Sequence, residues 1–251
     1  TTRGRLIRFS PLDLPSLPAN APQLAAGVRV AEYLGLTDRS ERVLAIVSLT
    51  TDRPIVLGTA QGVVKRVTPG GYPNRPDFDL IALKPGDEVV GAAQGTDDDE
   101  LVFITTDAQL LHFAASSVRP QGCAAGGMAG IKLAPDTRVI AFSAIPNDQL
   151  DDAVVVTVAA TTDTLLGADP GAAKVSAFSE FPGKGRATGG VRAQRFLRGQ
   201  DGLSVAWAGP GPAHALAADG SVRPLPEEFA KRDASGTQLD SPVAVIGRRI
   251  G

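Results

Sequence analysis

Residues 105–113 read TTDAQLLHF, and this stretch decides the fold because it recurs. Residues 1–9 (TTRGRLIRF) and 59–67 (TAQGVVKRV) keep the same order: Thr first, Gly or Ala fourth, then a run close to apolar-apolar-basic-basic-apolar. Each copy reads as a tight turn feeding a strand. Weaker copies are GAAKVS at 171–176 and GSVRPL at 220–225. The fourth-place residues are then Gly4, Gly62, Ala108, Gly171 and Gly220, spaced by 58, 46, 63 and 49. Self-similarity on this scale marks a repeat architecture.

Two further markers recur in fixed order. One is Gly, apolar, basic, small or apolar: GVRV at 27–30, GIKL at 130–133 and GVRA at 190–193, with DLIAL at 79–83 standing in the second unit. The other is a polar turn entering an apolar strand, at 41–49, 86–93, 135–142, 201–208 and 241–247. Strands are short and β-branched, while helical periodicity is confined to brief stretches at 30–35 and 116–118. Units of about 40–50 residues with about four strands predict an all-β, propeller-like disc of five blades. The units run 1–40, 41–85, 86–134, 135–200 and 201–251. The first lacks a leading strand and the last is followed by a spare one at 242–246, so the C-terminal strand is expected to complete the first unit and hide open edges, or equally to pair with residues cut off upstream.

Composition agrees. The chain has 251 residues, of which 43% are hydrophobic, enough for a sizeable core. Its 28 Gly and 19 Pro are too many for a helical bundle and lack a collagen period. The net charge of −2 excludes a uniformly basic chain but leaves room for a basic face. Cys123, the single cysteine, forms no internal disulfide, which favours a reducing compartment and a cytoplasmic location. No run of 18 apolar residues and no signal-peptide layout is present, so no membrane association is expected. A chain opening on Thr is expected to be a fragment of something longer.

At this point the residues resemble a known family. LVFITTDAQLLHF, VRPQG and GGMAGIKL within 101–142, GVVKRV at 62–67 and FPGKGRATGGVRAQRFL at 181–197 look like the C-terminal domain of the A subunit of bacterial type IIA topoisomerases, topoisomerase IV more than gyrase. The resemblance implies a β-pinwheel: a disc of strand-exchanging blades with duplex DNA bent around a basic rim. It also implies partnership with the cleavage domain of the same polypeptide and the ATPase B subunit. Mg²⁺ and ATP would be used elsewhere in the parent enzyme, with no cofactor in this domain, and the domain itself would be monomeric and associated with the nucleoid. The gyrase version carries a Gln-Arg-Arg-Gly-Gly-Lys-Gly box. The nearest stretches here are QGCAAGG at 121–127 and GKGRATGG at 183–190, and the first has none of the box's cations. That departure implies decatenation or relaxation rather than negative supercoiling.

Catalytic constellations are scarce. Tyr33 beside an apolar run and Tyr72 in a Gly-Pro turn read as packing and turn residues. His112 and His214 lack a neighbouring second ligand and read as surface or rim positions. Asp97, Asp98, Asp99 and Glu100 lack metal-loop spacing and read as a solvated turn. The glycine runs lack the Lys-Ser/Thr end of a P-loop. Cys123 and Trp207 read as packing residues. Binding is better supported: between residues 174 and 198, Lys174, Lys184, Arg186, Arg192, Arg195 and Arg198 face one acid, Glu180. Arg3, Arg5, Arg8, Lys65, Arg66, Arg119 and Lys132 occupy related places in other units, with Arg29 and Arg75 as extensions. Cations at equivalent places of a radial repeat would form an arc suited to phosphates. The rival readings are a propeller that binds proteins, preferred if the cations scatter, and an enzyme with an axial site.

Overall fold

The turn at residues 59–62 shows what the repeated motif does. Thr59 accepts a bond from the Gly62 amide on its carbonyl, at 3.0 Å, and one from the Val63 amide on its hydroxyl, at 3.1 Å. The chain can then reverse only with a left-handed residue at the fourth place, where Gly62 has φ 80°. Gly4, Gly171 and Gly220 repeat this with φ of 73°, 78° and 82°, and Ala108 is forced into the same region at 58°. The Thr105 hydroxyl again accepts the amide of the next strand, from Gln109 at 3.0 Å.

The structure, a computed structural model, describes residues 1–14, 28–161 and 169–248. They form five antiparallel-dominated sheets with little helix beyond Val30–Tyr33 and a few 3-10 turns. The second sheet orders Val89–Gln94, Ile55–Thr59, Val63–Val67 and Pro120–Gln121, with Met128–Ala129 also on Val63–Val67. The third orders Val139–Ile145, Glu100–Thr105, Gln109–Ala114 and Val191–Arg192; the fourth orders Gly202–Pro210, Ala153–Ala160, Ala172–Ala177 and Thr237–Gln238. Each complete sheet therefore takes its hairpin from one repeat unit and its two flanking strands from the next. The first sheet holds only Arg5–Ile7 and Asp77–Asp79, and the fifth holds Val222–Arg223, Ala213–Leu216 and Val245–Arg248.

Four apolar clusters lie between successive sheets, such as Phe103, Phe113 and Phe142 between the second and third. An interior sheet is covered on both faces, which is why Ile55–Thr59 and Ala153–Ala160 are buried at every position. Trp207 packs half-buried against the cluster between the fourth and fifth sheets.

Two expectations need correction. Val245–Arg248 pairs with Ala213–Leu216, in the place that Val89–Gln94 and Val139–Ile145 take in their sheets, and does not complete the first unit. Among the described residues no strand pairing joins the first and fifth sheets. The glycine marker is also out of register by three residues. Ladder partners equate Met128–Ala129 with Val191–Arg192 and Thr237–Gln238, so Gly127, not Gly130, corresponds to Gly190 and to Gly236. The reason is steric: a Cβ on Gly127, Gly190 or Gly236 would lie 2.7, 2.6 or 2.6 Å from a carbonyl oxygen of the hairpin strand it crosses. The marker at 27–30 begins on Gly27, which lies outside the described residues; Val30 opens the short helix.

Gly190→Ala is therefore expected to destabilise the fold by roughly 1–3 kcal/mol, since the obstructing atoms are backbone atoms of Leu110 that have no alternative rotamer. Denaturant unfolding of the variant measures it.

Candidate nucleic-acid interface

The thirteen candidate cations separate into three environments. Lys65, Arg66 and Lys174 are buried in the middle of interior sheets, with 0%, 2% and 2% exposure. The Lys65 ammonium donates to the carbonyls of Leu80, Cys123 and Ala125 at 2.7, 2.9 and 2.6 Å. Arg66 donates to the carbonyls of Ala115 and Val118 at 2.9 and 3.0 Å and pairs with Asp97. Lys174 donates to the carbonyls of Lys231 and Arg232. These three do not line a rim: apart from the Lys65 bond to Leu80 in its own unit, they fasten loops from the following unit over the hairpin. Alternation along a strand gives adjacent residues opposite faces, and in an interior blade both faces are covered. Burial depresses the affinity of Lys174 for its proton to a pKa of about 8 and lowers Lys65 likewise.

Arg3, Arg5 and Arg8 are paired locally. Arg3 meets Asp38 at 2.5 Å, and Arg5 meets both Glu41 and Asp77 at 2.9 Å. Arg8 donates to the Pro73 carbonyl at 2.9 Å, its guanidinium 5.6 Å from the Phe78 ring centre. Hydrogen bonds from Ser40, and then from Arg3, hold the Asp38 carboxyl at about 2. These three cations are thus held by local partners, while Arg29, Arg39, Arg42 and Arg75 nearby in the chain are exposed.

The remaining seven reach solvent: Arg119, Lys132, Lys184, Arg192, Arg195 and Arg198 are exposed and Arg186 is half-buried. The loop at 182–190 sets most of them together. Its Thr188 carbonyl accepts the Lys132 amide at 3.0 Å, its Ala187 amide donates to Gly130 at 2.7 Å, and the Arg186 side chain donates to the Ala129 carbonyl at 2.5 Å. Lys184 closes the loop on the Gly189 carbonyl at 2.9 Å. One unit further, the Arg195 amide donates to Ala234 at 3.0 Å and Arg232 to the Arg192 carbonyl at 3.4 Å. Each loop is thus tied to the segment around the preceding crossing strand, and the segments joined in this way carry Lys132, Lys184, Arg186, Arg192, Arg195, Lys231 and Arg232. Asp233 is the acid among them.

Lys231 and Arg232 escaped the sequence reading. The available signal was the glycine: Arg186 and Arg232 each stand four places before it, at Gly190 and Gly236.

The remaining residues read for chemistry are structural. His112 is buried, not on a surface or rim, bonded to Glu100 at 2.7 Å and to the Phe181 carbonyl at 3.0 Å. Burial alone would lower its pKa, but these two partners raise it overall. His214 is exposed. The acidic turn is less solvated than its charge implies: Asp99 is buried on the Thr96 amide and hydroxyl, and Asp97 pairs with Arg66. Tyr33 packs on Phe9 and Tyr72 on Phe78. Among the described residues no group of three His, Cys, Asp or Glu is placed to hold a metal ion, and no helix is long and apolar enough to cross a membrane.

Comparison with known proteins fits this geometry. Residues 99–146 and 171–203 match the family model described as DNA gyrase C-terminal domain, beta-propeller. The A subunit of DNA gyrase from Mycobacterium bovis is 29% identical over 198 residues, covering 76% of this chain and 22% of that protein. The chain therefore spans about a fifth of the length of that relative. Of solved structures, the C-terminal domain of DNA topoisomerase IV superposes with TM-score 0.73 at 20% identity, covering 88% of this chain and 70% of that one. The DNA gyrase A C-terminal domain gives 0.62 at 14%, covering 79% and 66%. The fold is the all-β pinwheel of those domains.

Proposed function

We propose that this chain, matching the C-terminal domain of the A subunit of a type IIA topoisomerase, binds duplex DNA along the basic edge of its third and fourth blades and bends it toward the cleavage core. The observation that supports this reading is the connected run from Lys132 to Arg232. Phosphate contacts by Lys and Arg supply sequence-independent affinity, and a curved edge lets one duplex meet several of them. A smooth bend of 40–90° costs roughly 1–6 kcal/mol, which several contacts can offset. Hydrogen bonds link the segments that carry these cations from one blade to the next, which supports an arc rather than scattered sites and so favours DNA over the protein-platform alternative.

The domain makes no bond-breaking contribution in this reading. The cleavage domain of the same polypeptide, the ATPase B subunit, Mg²⁺ and ATP belong to the rest of the enzyme, and the isolated domain is a monomer acting at the nucleoid in the cytoplasm. Decatenation or relaxation is preferred to supercoiling on the loops: 119–127 carries Arg119 alone, and 182–190 carries Lys184 and Arg186 but no Arg-Arg pair. The mycobacterial relative carries the gyrase name, so supercoiling and decatenation assays on the assembled enzyme decide between them.

Salt titration of duplex binding tests the core of the proposal. With about six phosphates neutralised, the log–log slope is about −5 and affinity falls about 10³-fold between 50 and 200 mM salt. A slope near zero overturns it.

A further inference from the structure

His112 occupies a place whose chemistry changes from blade to blade. Counted from the glycine or alanine of the turn, it stands where Arg66 stands in the second sheet and Val175 in the fourth. Each of the three faces a valine across its hairpin: Val102, Val56 and Val156. Arg66 donates to the Val118 carbonyl at 3.0 Å, and His112 Nε2 lies 3.0 Å from the Phe181 carbonyl oxygen. Val118 and Phe181 are themselves equivalent, since each ends the 3-10 turn after the following unit's hairpin, Ala115–Ser117 and Phe178–Glu180. The root of the loop leaving that turn is thus held by a permanent cation under the second blade's loop and by a titratable ring under the third's, while Val175 has no donor to offer.

The loop that His112 holds is the one carrying Lys184 and Arg186. The Lys184 amide donates to the His112 carbonyl at 3.1 Å, and a Cβ on Gly183 would lie 3.2 Å from His112 Cε1, so the loop root rests on the imidazole. The Phe178 ring lies against it, centroids 4.6 Å apart. Glu100, from the neighbouring strand, is the charged group facing the ring, 2.7 Å from Nδ1. Glu180 on the 3-10 turn, Lys184 on the loop and Arg192 on the paired strand are exposed, and the Lys184 ammonium turns away to the Gly189 carbonyl. A carbonyl and an ionised carboxylate only accept, so keeping both bonds takes a proton on each ring nitrogen. A neutral ring keeps one bond. The charge-assisted bond to Glu100 is the stronger, so the proton given up is that on Nε2 and the Phe181 carbonyl is released.

We propose that His112, as the imidazolium, is a positioning residue for the loop at 182–190: while protonated it pins the Phe181 carbonyl, and on losing its proton it frees the loop root and weakens the phosphate contacts of Lys184 and Arg186. The consequence for DNA rests on the duplex-binding reading above; the pinning does not. Burial lowers the pKa of His112, but the bonds to Glu100 and Phe181 outweigh it and raise the pKa above its ordinary 6.5. The latch is therefore closed below that pH and opens as pH climbs through the raised value.

The test follows backbone amide exchange, corrected for its intrinsic rate, from about pH 6 to about pH 9 in the free chain, alongside affinity for a mixed-sequence duplex at fixed salt. Protection at Phe181 and Lys184 is expected to fall about three- to tenfold as His112 deprotonates, the worth of one hydrogen bond, while that at Val118, under Arg66, stays constant. Glu100→Gln gives Nδ1 a donor, so the neutral ring keeps its Nε2 proton on Phe181 and both amides stay protected throughout. His112→Arg, which installs the second blade's residue, is expected to do the same. Duplex affinity of the wild type should fall at least twofold over this range relative to Glu100→Gln. Equal pH profiles of protection at Phe181 and Lys184 in wild type and Glu100→Gln would overturn the latch. Protection that differs as expected, with duplex affinity that does not, would overturn its link to DNA. Absence of duplex binding in all three chains would overturn the duplex reading and that link with it, while the exchange profiles still decide the latch.

Discussion

Replacing Lys132, Arg192 and Arg195 together by Glu is expected to weaken duplex binding more than tenfold at low salt and to make the log–log salt slope shallower by about 2.7, at 0.9 for each phosphate no longer neutralised. These three are exposed, lie on the same hydrogen-bonded segments, and donate no side-chain hydrogen bond to any described residue, so the fold should survive their reversal. Loss should be uniform across DNA sequences, since phosphate contacts carry no base information. Arg3→Glu supplies the contrast: it removes a pair with Asp38 in the first blade and should leave DNA affinity within about twofold of wild type. Anisotropy titrations at several salt concentrations read all of this. Unchanged affinity in the triple variant would move the DNA surface off the third and fourth blades.

Lys65→Met is expected to cost about 3 kcal/mol. The side chain is fully buried, and its removal leaves the carbonyls of Leu80, Cys123 and Ala125 without their donor. Buried acceptors left unpaired cost about 1–3 kcal/mol each, partly offset because a buried ammonium is no longer desolvated. Thermal unfolding measures it, and a midpoint within a degree or two of wild type would show that the three bonds contribute nothing net. The pH dependence has a definite sign. Burial lowers the folded-state pKa of Lys174 from 10.5 to about 8, so between those values the unfolded chain holds more protons than the native one. Wild-type stability should therefore rise relative to Lys174→Met as pH goes from about 8 to 10.5, and run parallel to it below 8.

The same lysines show where the sequence could be read and where it could not. The repeat, the turn chemistry and the strand-rich class follow from local rules, because Thr at the first place and Gly at the fourth are dictated within four residues of chain. The place of Lys65 and Lys174 depends on something no local pattern encodes: a loop arriving from the next unit, some sixty residues on, to cover them. A cation in an apolar strand looks like a solvent-facing residue until that cover is known. Arg3 and Arg5 misled in another way, since their acidic partners Asp38, Glu41 and Asp77 lie far along the chain, as do the Pro73 carbonyl and Phe78 ring that hold Arg8. Lys132, Arg192 and Arg195 are exposed, as their positions in or just after short edge strands lead one to expect. Their three-residue register offset was not legible, because only the approach of Gly127, Gly190 and Gly236 to the hairpin backbone fixes it.

The borrowing of flanking strands from the following unit also governs how the chain can be made. A blade whose hairpin has left the ribosome cannot close until the next unit's strands emerge: Ala153–Ala160 waits for Gly202–Pro210, and Ala172–Ala177 waits for Thr237–Gln238. Vectorial synthesis thus always leaves one unfinished blade at the growing end, with its aliphatic strands uncovered, and the long sequence separation of these pairings slows closure. A premature stop near residue 230 would damage the fourth sheet as well as the fifth, so the damage reaches one blade upstream of the lesion.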